Sequence, residues 1–231
     1  MAKIIKPPGK FKILAISVGL NGESPPELIE LCGRTAYQSH HKISPGSAEQ
    51  FTRMIIKLGH ESVLEHVVMT VKFTNVSRGA THQIVRHRLA SYTQESTRYV
   101  DKRRLTFVLP PHKDPTEIIE LILPDGRTIN ITLEDWVNLN EQVYRVLREK
   151  GWKPEDARQF LPIGTRTEII VTTNVREWRH IFKLRCAPDA HWEIRLLMVQ
   201  LLKEVKERLR PIFDDFEIAP DESYAVLKGS S

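Results

Sequence analysis

Residues 67–98 read VVMTVKFTNVSRGATHQIVRHRLASYTQESTR, and the change of period along this stretch decides the fold class. From Val67 to Phe73 the apolar side chains alternate as Val67, Met69, Val71 and Phe73, which predicts a strand with one buried face. Ser77 then supplies the start of a helix running into Arg86. Beyond it, Ser91 to Arg98 is polar and carries neither period, so it reads as a loop.

On the N-terminal side, Phe11 to Ser17 alternates as a first strand, and Ser24-Pro-Pro-Glu27 provides an N-cap, early prolines and a capping-box carboxylate for a helix to about Ser39. Ser47 to Leu58 reads as a second helix, closed by Gly59. On the C-terminal side, Arg104 to Leu109 is a short strand ended by Pro110 and Pro111. Glu117 to Leu123 and Arg127 to Ile131 flank Pro124-Asp125-Gly126 as a hairpin, expected to be a peripheral elaboration over 117–131. Thr132 caps a helix to Lys150, Pro154 to Phe160 is a short helix, and Arg166 to Thr172 is a strand. Asn174 and Glu177 form a second capping-box pair for a helix to Arg185, and a last helix runs from about Ala190 to Leu209, stopping at Pro211. Trp136, Val143 and Leu147, like Leu196, Val199 and Leu202, sit at helical spacing and are expected in the core. Strands interrupted irregularly by helices predict an α+β fold: a mixed or antiparallel sheet packed with helices, in one elaborated domain over residues 1–231.

With 231 residues, 41% hydrophobic and 27% charged, the chain has the proportions of a soluble globular protein and is long enough to fold without a disulfide or metal staple. The longest early apolar run, Ile13 to Leu20, is too short to cross a bilayer, and the expected location is cytoplasmic. Cys32 and Cys186 form no C-x-x-C pair and read as reduced thiols. The net charge of +5 is concentrated: between Thr81 and Arg104, six Lys and Arg face Glu95 and Asp101, and the rest of the chain is nearly neutral. A compact cationic excess suits a small polyanion such as a phosphate ester better than an extended nucleic acid, although a charge run is also what a solvated face looks like. No G-x-G-x-x-G or G-x-x-x-x-G-K-[ST] cradle is present, so a nucleotide would have to be held by side chains.

Within that window Arg86-His87-Arg88 is followed by Ser91, Ser96 and Arg98: three guanidiniums, an imidazole and two hydroxyls at a helix-to-loop transition, able to wrap an anion. The spacing R-H-R-x-x-S-x-x-x-x-S-x-R resembles, at each fixed position, the signature of the flavin-dependent thymidylate synthases. Further segments agree: Gly59-His60-Glu61-Ser62 with Glu65-His66, Ala157-Arg158 before Leu161-Pro162, Asn174-Val175-Arg176, Leu184-Arg185 and Trp192-Glu193-Ile194.

The resemblance implies a homotetramer with active sites built from several subunits, binding FAD and methylating dUMP to dTMP with 5,10-methylenetetrahydrofolate as carbon donor and NADPH as reductant of the flavin. Neither nucleic acid nor membrane is an expected partner. Carried onto matching positions, Ser62, Arg86, His87, Arg88, Gln94, Asn174, Arg176 and His180 are the implied flavin contacts. The implied substrate contacts are Gln83, Arg86, Gln94, Glu95, Ser96, Thr97, Arg98, Arg158 and Arg185. Arg185 is the candidate catalytic residue: a permanently charged guanidinium beside the uracil N3 and carbonyl edge stabilises the anion that makes C5 electron-rich. Without the resemblance, Arg185 reads as a cation at a helix C-terminus. At 100° per residue Arg176, His180 and Lys183 share one helix face and Arg185 points the opposite way, so one helix would serve two sites, an arrangement natural at an oligomer interface.

Ser96 lacks a G-x-S-x-G elbow or an evident base and is read as a phosphate contact rather than a nucleophile. Cys186, beside Arg185, is read as a packing residue. The H-E-x-x-x-E-H run from His60 to His66 has the wrong spacing for a zinc helix, and no metal is expected. Glu95 stands where an apolar residue is common in the family and His180 where asparagine is common; Asp189 and His191 replace a different polar pair. The rival readings are an RNA-binding module stacking bases on Tyr92 and Tyr99, and a flavin oxidase or reductase that transfers no methyl group.

Overall fold

The computed structural model describes residues 1–229; the last two residues of the expected 1–231 domain lie outside the described residues. In chain order the elements are β1 (Lys3–Ile5), β2 (Lys10–Ile16), α1 (Pro25–Ala36), α2 (Ser47–Lys57), β3 (Val68–Ser77), α3 (Arg78–Ile84), β4 (Ser91–Gln94), β5 (Thr106–Val108), β6 (Ile118–Ile122), β7 (Thr128–Thr132), α4 (Leu133–Glu149), α5 (Pro154–Ala157), β8 (Arg166–Asn174), α6 (Val175–Arg185), α7 (Trp192–Arg208), β9 (Phe216–Ile218) and β10 (Ala225–Leu227). The main sheet has the order β2-β3-β8-β4. Its central pair, β3 and β8, is antiparallel: Val175 N–H donates to Val67 O at 2.8 Å, Thr70 and Thr172 hydroxyls meet at 3.0 Å, and Arg166 Nε reaches Asn75 Oδ1 at 3.3 Å, so one strand descends as its neighbour rises. The chain belongs to the α+β class, as its pattern predicts.

Contacts group the chain into two compact units. The first comprises Met1–Lys10, Thr74–Gln83 and Gln94–Ile169; the second comprises Phe11–Phe73, Ile84–Thr93 and the chain from Ile170 onward.

In the second unit, Val67, Met69, Val71 and Phe73 are all fully buried, the alternation their sequence predicts. Glu27 Oε2 accepts from the Ser24 N–H at 2.7 Å at the head of α1. This helix ends at Ala36 rather than Ser39 because the chain turns at Gln38, which adopts a left-handed φ of 50°. Gly33 lets α2 approach closely: a Cβ there would lie 2.3 Å from the Phe51 ring. Gly59 closes α2 at a φ of 71°. Trp178, Phe182, Phe213 and Phe216 form an aromatic core with ring centroids 5.5–6.4 Å apart where they touch, and Trp178 Nε1 donates to Met69 O at 3.1 Å. The antiparallel pair β9–β10 escapes the sequence reading because three-residue strands carry no resolvable period.

In the first unit, β1 pairs in parallel with β5, and β6 and β7 form the expected hairpin, with Ile119 opposite Ile131 and Gly126 at a φ of 84°. Thr132 Oγ1 accepts from Asp135 N–H at 3.0 Å and Asp135 Oδ2 from Thr132 N–H at 3.0 Å, a complete capping box for α4. The buried stripe of α4 is one step round from the expected one. Val137, Glu141 and Tyr144 are buried, whereas Trp136 is 37% and Val143 43% exposed. Glu141 turns the helix this way by accepting from Leu105 N–H at 2.7 Å, and Trp136 settles edge-on to Phe107. In α7, of the second unit, Val199 and Leu202 are buried as expected and Leu196 is half-buried.

The expected loop from Ser91 to Arg98 begins instead as the edge strand β4, with Glu95 N–H continuing its pairing by donating to Glu168 O at 3.0 Å. Its polar sequence hides it, since an edge strand needs backbone partners more than an apolar face. Among the described residues, no helix is long and apolar enough to cross a membrane.

Candidate functional site

α3 ends at Ile84, two residues before Arg86, and His87 N–H closes the turn onto Ile84 O at 3.1 Å. Of Arg86-His87-Arg88, only the imidazole turns inward: His87 is buried and both arginines are exposed. Two partners fix the ring in the second unit. Its Nδ1 lies 3.3 Å from Glu177 Oε1, and its Nε2 accepts from Arg185 Nε at 3.0 Å. Burial, with Arg185 and His180 beside it, lowers the His87 pKa to about 4, so the ring is neutral at physiological pH, its proton on the nitrogen facing Glu177. Burial likewise raises the Glu177 pKa, while desolvation and the nearby Arg86 lower that of Arg185, which an arginine tolerates without losing its charge. Tyr92 locks the turn from behind: its hydroxyl donates to His87 O at 2.5 Å, with Ile84 O at 2.9 Å, and burial pushes its pKa up to about 12.

Glu177 corrects one local expectation. Asn174 Oδ1 does cap α6 by accepting from Glu177 N–H at 2.9 Å, but the Glu177 carboxylate faces His87. α6 reaches Arg185, so Arg176, His180 and Lys183 do share a face. With Asn174 and Glu177 they line a cavity of about 640 Å³, and Arg185, further round the helix, reaches the same His87 ring that Glu177 and His180 flank. The His180 ring stands edge-on to His87, centroids 5.6 Å apart, and Arg176 is paired with Glu65. Ser62 and His60 line a neighbouring cavity of about 380 Å³ with Tyr37, Gly33 and Arg176.

His87, Glu177 and His180 bring ligand-type atoms within 4.8 Å of one another. Both His87 nitrogens are already engaged, one by a guanidinium, and a cation there would have to displace it. Cys186 is fully buried, and burial pushes its thiol far up, which suits packing and opposes a thiolate.

The remaining candidates gather in the first unit. Gln94 Nε2 donates to Thr81 Oγ1 at 2.8 Å; Gln83 lies near the end of α3; Arg158 reaches the buried Thr97 hydroxyl at 3.5 Å; and Arg98 pairs with Glu155 at 3.1 Å on the surface. Ser96 Oγ accepts from Arg98 N–H at 3.3 Å. The Glu95 carboxylate faces Lys102 and Arg166. A cavity of about 360 Å³ is lined by Arg78, His82, Thr97 and Arg158. Among the described residues the buried Arg78 Nη1 has no hydrogen-bond partner, a rare state that an anion would relieve. Sequence reading missed Arg78, for which the available signal was a cation opening α3, where the helix dipole disfavours it.

The unit boundary thus sorts the candidates. Ser62, Arg86, His87, Arg88, Asn174, Arg176, His180 and Arg185 lie in the second unit; Gln83, Gln94, Glu95, Ser96, Thr97, Arg98 and Arg158 lie in the first.

Comparison with known proteins agrees on one family. The family described as "Thymidylate synthase complementing protein" matches residues 20–209. A flavin-dependent thymidylate synthase of Mycobacteroides abscessus is 38% identical over 205 residues, covering 84% of this chain and 80% of the relative. One of Geobacter sulfurreducens is 39% identical over 199 residues, covering 83% and 82%. Among solved structures, the UMP/dUMP methylase PolB of Streptomyces cacaoi bound with 5-Br dUMP superposes with a TM-score of 0.68 at 23% identity, covering 91% of this chain and 94% of that one. Thymidylate Synthase X of Helicobacter pylori with FAD and dUMP gives 0.66 at 22%, covering 90% and 98%; at such identities the structural likeness speaks for the fold. The chain belongs to the flavin-dependent thymidylate synthase family, and so to the methyltransferase enzymes.

Proposed function

We propose that the chain converts dUMP to dTMP, taking the carbon from 5,10-methylenetetrahydrofolate and two electrons from NADPH through FAD, and releasing tetrahydrofolate. The balance closes with one proton taken up: the transferred methylene is reduced to methyl by one hydride, NADPH leaves as NADP⁺, and the two folate nitrogens that lose the methylene gain two protons, one offset by the proton lost from uracil C5 and one drawn from solvent. The observation that carries the reading is the Glu177–His87–Arg185 chain, which fixes a guanidinium through its Nε by means of a neutral imidazole.

The cationic face of α6 fits a flavin dinucleotide. Arg176, His180 and Lys183 line a single cavity that runs along the eleven-residue helix from its N-terminal end, where Asn174 and Arg176 lie and backbone N–H groups and the helix dipole favour a pyrophosphate. Asn174, Arg176 and His180 would hold it there, with Ser62, Arg86, His87, Arg88 and Gln94 as the further contacts. Once reduced, the bound flavin supplies the hydride. Arg158, Ser96, Thr97 and Arg98 bind the dUMP phosphate, with Gln83, Gln94, Glu95 and Arg86 completing the nucleotide site. Arg185 faces the uracil edge and stabilises the N3-ionised base, raising electron density at C5 for attack on the one-carbon donor. Arginine holds its proton, so this role is electrostatic.

Membership of the flavin-dependent thymidylate synthase family supports active sites assembled from several subunits of a homotetramer. The interleaving of both units along the chain supports one folding domain, and the chain acts in the cytoplasm. The test is the visible spectrum of protein reconstituted with FAD and desalted, before and after adding dUMP. Retained flavin bands that shift on dUMP addition support the reading; a colourless protein, or bands indifferent to dUMP, would sink it.

A further inference from the structure

Glu95 and Lys102 bracket the turn that carries Ser96, Thr97 and Arg98, and both ends of that turn are tied to β8. Glu95 N–H donates to Glu168 O at 3.0 Å, and Lys102 Nζ donates to Arg166 O at 3.3 Å, two residues along the same strand. The two side chains then meet. Lys102 is bonded to Glu95 Oε1, and Arg166 Nη1 reaches the other oxygen, Oε2, at 3.3 Å. Arg166 is itself aligned by Asn75 Oδ1 at 3.3 Å and Glu168 Oε2 at 3.8 Å. The Glu95 side chain is 10% exposed and that of Lys102 7%, so this is an ion pair removed from water. Between these ends, Tyr99 and Val100 N–H groups both approach Ser96 O, at 3.2 and 2.9 Å.

A buried ion pair contributes little to stability compared with an apolar pair of similar shape, but it admits few geometries. We propose that Glu95 is a positioning residue for nucleotide binding: its carboxylate, held between Lys102 and Arg166, closes the 96–101 turn and sets Ser96, Thr97 and Arg98 where they read the substrate phosphate. This rests on the synthase reading above. It gives the carboxylate of Glu95 an internal role, leaving the backbone and the following three residues to face the ligand.

The test is steady-state thymidylate formation by the FAD-loaded enzyme for wild type, Glu95→Gln, Lys102→Met and the double variant. Breaking the clip is expected to raise KM for dUMP by ~10–100-fold, the scale of a displacement of about 1 Å in a binding group. At saturating dUMP, kcat is expected to stay within about threefold of wild type, because bound phosphate reorders the turn. The double variant should be no worse than the worse single one, since both remove the same contact. Glu95→Asp keeps the charge but cannot reach both cations, and should give an intermediate KM; it carries the test if Glu95→Gln does not fold. An unchanged KM in a folded Glu95→Gln or Glu95→Asp protein, or a loss confined to kcat, overturns the proposal. A wild-type protein that makes no thymidylate overturns the synthase reading and the role of the clip within it.

Discussion

Replacing Glu177 by alanine removes the group that sets the His87 tautomer. The Glu177 side chain is 8% and that of His87 3% exposed, so the Nδ1 proton of His87 would be left without a partner and with little water to replace it. Such an orphaned donor costs about 1–3 kcal/mol, and the 3.3 Å separation in the native pair places the expected loss in the lower half of that range, ~1–2 kcal/mol. For a chain of this length each kcal/mol moves Tm by about 2–4 °C, so Glu177→Ala should melt ~2–8 °C lower. The catalytic effect is larger. Without Glu177 the imidazole is free to carry its proton on Nε2, where it meets the Arg185 Nε–H instead of accepting from it. The guanidinium then loses its anchor, and kcat at saturating dUMP should fall ~10–100-fold. Glu177→Gln keeps an acceptor for Nδ1 and should recover most of both losses. Differential scanning calorimetry and steady-state kinetics on the FAD-loaded proteins measure the two effects. Wild-type kcat in Glu177→Ala would refute the positioning chain, and an equal loss in Glu177→Gln would show that charge rather than tautomer matters.

Because the folded His87 pKa is depressed to about 4 from its ordinary 6.5, the native state binds fewer protons than the unfolded one between those values; the stabilisation is complete above 6.5 and lost as pH falls through about 4, roughly 3 kcal/mol in all. Denaturant unfolding from pH 7 to 4 should show that slope in wild type and a shallower one in His87→Gln. Arg179 is 6% exposed, donates to both Asp215 oxygens at 2.7 and 2.6 Å and to Ile212 O at 2.6 Å, and lies 3.1 Å from Glu61. Asp215→Ala strands that charge and should cost about 3 kcal/mol in chemical denaturation, near the lower bound for a broken buried pair because Glu61 remains. Arg185→Ala should nearly abolish thymidylate formation while some flavin stays bound, and Arg185→Lys should not rescue it, since a lysine has no Nε–H donor for His87; rescue by lysine would mean that charge alone suffices.

Much of this architecture is written in local patterns. The Val67–Phe73 alternation, the Thr132 and Asn174 caps and the Gly59 and Gly126 stops each act over a few residues, so their outcome is legible without the fold. What the sequence hides depends on partners far along the chain. β4 exists because β8 offers it an edge, and β1 because β5 does. The buried face of α4 is chosen by Glu141 reaching Leu105, against the more apolar stripe through Trp136. At the candidate site the shared face of Arg176, His180 and Lys183 was legible, because helix geometry fixes it. The Glu177 link to His87 was not: a carboxylate three residues after an N-cap asparagine reads as a capping partner, and only the fold brings an imidazole ninety residues upstream against it. Glu95 was legible as unusual and as part of the nucleotide loop, but its clasp with Lys102 and Arg166 needed the strand register.

The central claim is that hydride for the new methyl group comes from the flavin and not from the folate. The direct measurement is the folate product formed alongside dTMP when the FAD-loaded protein is given dUMP, 5,10-methylenetetrahydrofolate and NADPH. One tetrahydrofolate per dTMP, with no dTMP when FAD is omitted, is the predicted result; dihydrofolate as the product, or dTMP formed without flavin, would contradict it.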